Sequence, residues 1–354
     1  MSTQQKSFTS VEILDKPRNI MSPSPQHTST FVRAMRRVYR PLGFQKGYNF
    51  PLFIIFAGAM LGFVLARLSY LNIGGSASSS FASGASPGEW FHYHEGLYRV
   101  GITLHLASCL PMGFLMIWQF VPVIRHKLLI FHRINGYLVM LLCLVSNAGA
   151  LIIAPKAFGG GLDVRSGTGM LAILTTGAFG MAYYNIKRLQ IDQHRAWMLR
   201  AMFYLGTIIT ARLVLILSAL ITTKIGGFYQ ILSCDEVAFI QGSYDTAVSL
   251  YPQCANMTGN APLVVSADFN GQPESIGASL QIGFGMGLWI AIFLHTIGIE
   301  IYLNLTPAEA EKLRGVSYER QLEAGFENPG SSGLTVDRWG DAEAWKPVNR
   351  SGTT

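Results

Sequence analysis

Charge is scarce in this chain. Only 13% of its 354 residues are Asp, Glu, Lys or Arg, where a soluble domain carries about 25%. Cysteine is scarce too, with four in all and no C-x-x-C or Cys/His zinc spacing, which excludes a zinc finger or a thioredoxin-like motif. No glycine-rich P-loop occurs, no G-x-G-x-x-G follows a strand, and no G-x-S-x-G elbow is present. A nucleotide site, a nicotinamide or flavin domain and an α/β-hydrolase are thereby excluded. The first 49 residues hold no long apolar run, so a cleaved signal peptide is excluded and the first spanning helix must serve as an uncleaved signal.

What is present is apolar. Half of the residues are hydrophobic and the mean hydropathy is +0.31. Runs of about 20 mostly apolar residues read as spanning helices. Six such runs occur, at 52–71, 100–124, 134–154, 168–186, 201–222 and 279–303. The fold class expected is therefore all-α, a polytopic membrane bundle of about six helices. Pro111 and Pro122 are expected to kink the second run or end it early. Gly58-x-x-x-Gly62 and Gly283-x-x-x-Gly287 read as close-packing helix contacts within the chain.

The loops orient the bundle. Arg33, Arg36, Arg37, Arg40 and Lys46 precede the first run. Arg125, Lys127 and Arg133 lie between the second and third, and Lys187, Arg188, Arg195 and Arg200 between the fourth and fifth. Lys and Arg collect in cytoplasmic loops, so both termini are expected in the cytoplasm. The net charge of +7 is thus a topology signal, and no nucleic-acid partner is expected. The opposite side carries the long polar loop 223–278, with Cys234, Cys254 and the sequon Asn256-Met257-Thr258. A disulfide between the cysteines and a glycan on Asn256 both suit an oxidising, non-cytoplasmic side. Asn304-Leu305-Thr306 falls on the other side and is expected to stay bare. Cys109 and Cys143 read as free, packed thiols.

The resulting organisation is a basic, mostly disordered arm (1–47), a transmembrane domain (48–304) and a tail (305–354). In the tail, Thr306-Pro307-Ala308-Glu309 reads as the start of a short surface helix ending near Ala324, with Thr306 as N-cap. Residues 1–30 and 326–354 read as mobile from their Ser, Pro, Gly and Asn content.

Ionisable residues inside a membrane are costly and mark candidate sites. His105 lies in the outer leaflet. His132 and Arg133 open the third helix; His194, Arg195 and Arg200 open the fifth. Arg212 lies near the middle of the fifth helix and must face the bundle, either as one half of a buried polar pair or as a substrate contact. His295 and Glu300 lie on the sixth, with Glu300 expected to pair with Arg195 or Arg200 because it points about 140° away from His295. His132, His194 and His295 form the candidate inner group. Two readings of the His–Arg pairs stay open: anchors for lipid headgroups, and ligation of a metal or haem by neutral imidazole.

The pattern His132-Arg133-x-x-Gly136-Tyr137, then His194-Arg195-x-Trp197-Met198-x-Arg200, with Arg212 beyond, resembles the predicted membrane proteins of the domain of unknown function 2306. The resemblance covers roughly 99–215 and loosely the last helix, but not the first helix, the long outer loop or the tails. The long N-terminal arm and the cysteine-bearing loop look like fungal members. The helix-end histidines are similar in layout to dihaem cytochromes of the b561 and ferric-reductase kind. That likeness implies haem b on His132 and His194, with His105 as an outer ligand; His295, grouped with the inner pair by its depth, is a further cofactor-binding candidate. His92 or His94 would have to serve as partner to His105. Arg133, Arg195 and Arg212 are candidate ligand contacts, and no separate metal site is expected.

Three functions follow. The first is haem-based transmembrane electron transfer with an external donor. The second is an enzyme or accessory protein acting on a lipid or apolar metabolite, with Arg212 holding an anionic group. The third is a non-catalytic transporter or scaffold. Each places the chain in an endomembrane or plasma membrane of a eukaryote.

Overall fold

The computed structural model describes residues 30–44, 46–256 and 260–347. Long helices dominate: α2 (Asn49–Arg67), α5 (Gly96–Gln119), α7 (Leu129–Ile153), α8 (Leu162–Lys187), α9 (Ile191–Ile225) and α12 (Pro273–Leu305). A short helix α1 (Thr30–Tyr39) precedes them. The chain is an all-α bundle suited to a membrane, as the apolar runs predict.

Five of the six, all but α8, are long and apolar enough to cross a membrane among the described residues. The expectation of about six spans rests, for the fourth, on length rather than apolarity. The fourth predicted run does form a helix of 26 residues. Its Asp163, Arg165, glycines and threonines keep it less apolar than the rest. It packs against α7, α9 and α12. Asn147 on α7 spends its amide there, donating to Thr175 and Thr176 Oγ1 on α8 at 3.0 Å each.

Proline acts as expected at one of two places. Val121 turns extended, and Pro122 opens a separate short helix, α6 (Pro122–Lys127). Pro111 is carried inside α5. Of the two glycine motifs, Gly283 and Gly287 pack closely on Leu215, Ser218 and Ala211 of α9, whereas nothing lies within 4 Å of a Cβ on Gly58 or Gly62. The latter pair therefore makes no close helix contact among the described residues.

The loops build a lobe at each end. At the disulfide end sit α3 (Phe81–Gly84), α4 (Glu89–Tyr93), α10 (Cys234–Gln241) and α11 (Tyr244–Leu250). A two-stranded antiparallel sheet joins them, β1 (Tyr229–Ser233) against β2 (Pro262–Ser266), with Ile231 opposite Val264. Cys234 and Cys254 are bridged there, as expected, with Cα atoms 5.8 Å apart. Leu232, Val237, Leu263 and Val265 bury around the bridge. Cys109 and Cys143 are free. The side chain of Asn256 and residues 257–259 lie outside the described residues, so the sequon does too.

At the opposite, tail end sit α13 (Pro307–Glu323) and a short α14 (Val336–Trp339). The predicted tail helix is present, but Thr306 does not cap it. Its hydroxyl donates back to the Tyr302 carbonyl at 3.0 Å. The segment from 326 read as mobile is docked as far as the described residues run. Buried Gln190 donates to the Gly330 carbonyl at 3.0 Å, and Asn185 accepts the Leu334 N–H at 2.8 Å. Arg314 reaches Asp337 at 2.6 Å. Burial opposes charge on Asp337, yet hydrogen bonds from Ser331, Thr335, Arg314 and the Trp345 N–H hold its carboxyl well below the usual range. The arm before Thr30 lies outside the described residues.

Candidate functional site

The tail end gathers most of the residues chosen from sequence. Arg200 grips Glu300 with both arms, at 2.6 and 2.9 Å. The predicted pairing therefore falls on Arg200. Arg195 goes elsewhere, to Glu309 of α13 at 3.2 Å and to the Tyr302 hydroxyl at 3.3 Å. His194 donates from Nδ1 to the Ala182 carbonyl at 2.9 Å, which leaves Nε2 with its lone pair. His132 is its neighbour electrostatically, and its Nδ1 is buried without a partner. Arg133 is exposed.

His295 does not join this pair. Its Nδ1 meets the Phe203 carbonyl at 2.6 Å and its Nε2 meets Thr210 Oγ1 at 2.7 Å. Both ring nitrogens are engaged, so as placed it offers no lone pair to a metal. His105 belongs to the other half of the bundle, with Nδ1 on the Ser146 carbonyl at 3.1 Å. Its sequence-proposed partners are turned to other tasks. His92 lies 3.6 Å from Glu236, and exposed His94 donates to the Phe91 carbonyl at 2.8 Å. No group of three His, Cys, Asp or Glu side chains converges on a metal position among the described residues.

The disulfide end holds a site that sequence reasoning found only in part. Arg212 lies 13 residues from the end of α9, roughly 20 Å along a helix axis. Its guanidinium sits 4.6 Å from the Phe158 ring centroid and 5.1 Å from that of Phe284. Those two rings stack on each other at 4.1 Å. Among the described residues Arg212 makes no hydrogen bond and no ion pair within 4 Å, yet it keeps some exposure. An arginine left on lipid at this depth would cost ~2.5–3.5 kcal/mol or more. The two aromatic faces offset part of that through cation–π attraction, about 0.5–2 kcal/mol each.

Facing it is Glu89, the first residue of α4, only 4% exposed. Its Oε1 accepts the Phe158 N–H at 2.8 Å. Phe158 itself stands in the left-handed region at φ 47°, a strain of about 1–3 kcal/mol that surrounding contacts must hold. Glu89 is one of those contacts. Burial pushes the Glu89 carboxyl up to about 7, while the Phe158 N–H, the neighbouring Tyr93, His92 and Arg212 pull the other way. The Tyr93 hydroxyl, on a residue 1% exposed, has no hydrogen-bond partner. Gln281 Oε1, a turn before Phe284 on α12, is likewise buried and unpartnered. Native interiors leave few such groups unsatisfied.

Arg212 was legible in sequence as an intramembrane charge. Glu89, Tyr93 and Phe158 were not, because they lie in loops between apolar runs. Glu89 and Phe158 are 69 residues apart, and no local spacing connects them.

Fold and site together describe a polytopic membrane helix bundle with a buried polar cluster under a disulfide-bridged cap. Residues 102–240 match the family described as "Predicted membrane protein (DUF2306)". This agrees with the motif resemblance and extends beyond α9 into the cap, which the motifs alone did not reach. The protein is also similar to "Ava biosynthesis cluster protein G" of Aspergillus versicolor, at 24% identity over 327 residues, covering 78% of this chain and 94% of that protein. No solved structure matches.

Proposed function

We propose that this membrane protein holds an apolar molecule with an anionic head at Arg212, as an enzyme or accessory protein of small-molecule metabolism. The observation that carries the reading is a guanidinium within a spanning helix, laid on two aromatic rings and making no ion pair within 4 Å among the described residues. A second guanidinium, Arg200, shows what the bundle does when it wants a charge neutralised: it supplies Glu300. The biosynthetic name of the Aspergillus versicolor relative is in keeping with a metabolic role. The test is mass spectrometry of small molecules that co-purify with the full-length protein. Apolar anions enriched with the wild type and depleted at least tenfold with Arg212→Gln are expected. Equal recovery from both contradicts the reading.

One observation favours haem as a second reading. His194 donates Nδ1 to a backbone carbonyl, the arrangement that presents Nε2 to a metal, and His132 lies nearby. A bound haem would supply one-electron chemistry there; the chain's own part would be to ligate and orient it. A reduced-minus-oxidised spectrum with a sharp α-band, lost in His194→Ala, is the expected result on that reading. A flat spectrum from folded, haem-supplemented protein removes it.

A further inference from the structure

Rested on the Arg212 reading, the same site specifies the charge of its ligand. It contains one guanidinium and one carboxyl with no ion pair between them. Glu89 spends Oε1 on the Phe158 N–H and so fixes the ring that forms the floor under Arg212. The Tyr93 hydroxyl, a buried donor beside Glu89, is without a partner. In a region of low dielectric, net charge is expensive and neutrality is strongly favoured. With Glu89 ionised, Arg212 is already balanced, and an incoming anion leaves the site at −1. With Glu89 protonated, a single negative charge balances Arg212, and a dianion such as a phosphate monoester still does not fit.

We infer that the site takes a monoanionic head, a carboxylate or sulfonate on an apolar body, and that it binds this anion only when Glu89 carries a proton. The proton adds to the Glu89 carboxylate, and no other bond is made or broken. The anion sits on Arg212, with the Tyr93 hydroxyl as a second donor.

The other charged groups around Glu89 are accounted for. His92 on the same helix pairs with Glu236 of α10. Arg67 and Tyr70 face Arg212 from α2 and the turn after it. His105 of α5 feels Arg212. Asp163, at the start of α8, lies against Gly285. Of these, His92 stands on the same short helix as Glu89, so it is the control.

The experiment titrates a dansyl-tagged alkyl sulfonate, ionised throughout, into purified full-length protein from pH 5.5 to 8.5. The expected Kd is flat up to the Glu89 titration near 7 and then weakens about tenfold per pH unit. Glu89→Gln is expected to bind without a slope and more tightly than wild type at pH 8.5. His92→Gln is expected to keep the slope, and Tyr93→Phe to weaken binding three- to tenfold at every pH. If Arg212→Gln weakens binding but the wild type shows no slope, or if the slope disappears with His92→Gln, the proton link is overturned and the anion site stands. If Arg212→Gln binds as well as wild type throughout, the anion site itself fails.

Discussion

With Cys234 and Cys254 both replaced by serine, the cap at the disulfide end is expected to come loose while the long helices stay folded. The bridge closes a loop with a sequence separation of 20, and a loop of that size is worth about 3 kcal/mol. The rest of the cap is tied to α12 through Glu274, which accepts from Gln241 and Tyr251. The cap's core is a small cluster around Leu232, Val237, Leu263 and Val265, and two short strands form its sheet. Limited proteolysis in detergent should nick the variant between β1 and β2, with α5, α7, α9 and α12 still protected. Because α10 carries Glu236 against His92, loosening the cap should also raise the Kd for the apolar anion. A variant as resistant as the wild type would mean that the cluster alone holds the cap.

The second large effect is on stability against pH, and its sign is the reverse of the common carboxylate case. The Glu89 carboxyl is held at about 7, above its ordinary 4.5. Between those values the folded protein binds more protons than the unfolded chain. Stability from the protonated group is therefore complete below the unfolded pKa, falls as pH rises towards 7, and is lost above it. A shift of that size corresponds to about 3 kcal/mol. Glu89→Gln keeps an acceptor for the Phe158 N–H and cannot ionise. It is expected to match the wild type near pH 4.5 and to exceed it by about 3 kcal/mol at pH 8.5, measured by denaturation in detergent. Parallel curves for the two proteins would mean that Glu89 does not carry this burden.

The sequence made the bundle legible because lipid imposes a simple rule. Twenty apolar residues in a row have few other fates, and five helices follow it openly. α8 blurred the rule because Asp163, Arg165 and several glycines and threonines dilute its apolar residues. Arg200 with Glu300 was half legible, since depth along two helices brought the charges level but could not choose between Arg195 and Arg200. Thr306 misled because a threonine before a helix can donate to the helix behind it as readily as cap the one ahead. Gly58 and Gly62 misled because small residues permit close packing without enforcing it. The tail misled for another reason. Its Gly, Ser and Asn content reads as disorder, but Gln190, Asn185 and Gln321 bind its backbone, and that recognition has no periodicity to detect. Glu89 was hidden most fully. An acid in a loop is unremarked until the fold buries it beneath Arg212.

The account turns on whether Arg212 has an anionic ligand. The most direct measurement is a cryo-EM map of the full-length protein in nanodiscs, at pH 6, with the alkyl sulfonate present. The account predicts density for a head group joining the Arg212 guanidinium and the Tyr93 hydroxyl, with an apolar tail beside Phe158 and Phe284. Arg212 in direct contact with Glu89, with no density between them, would contradict it.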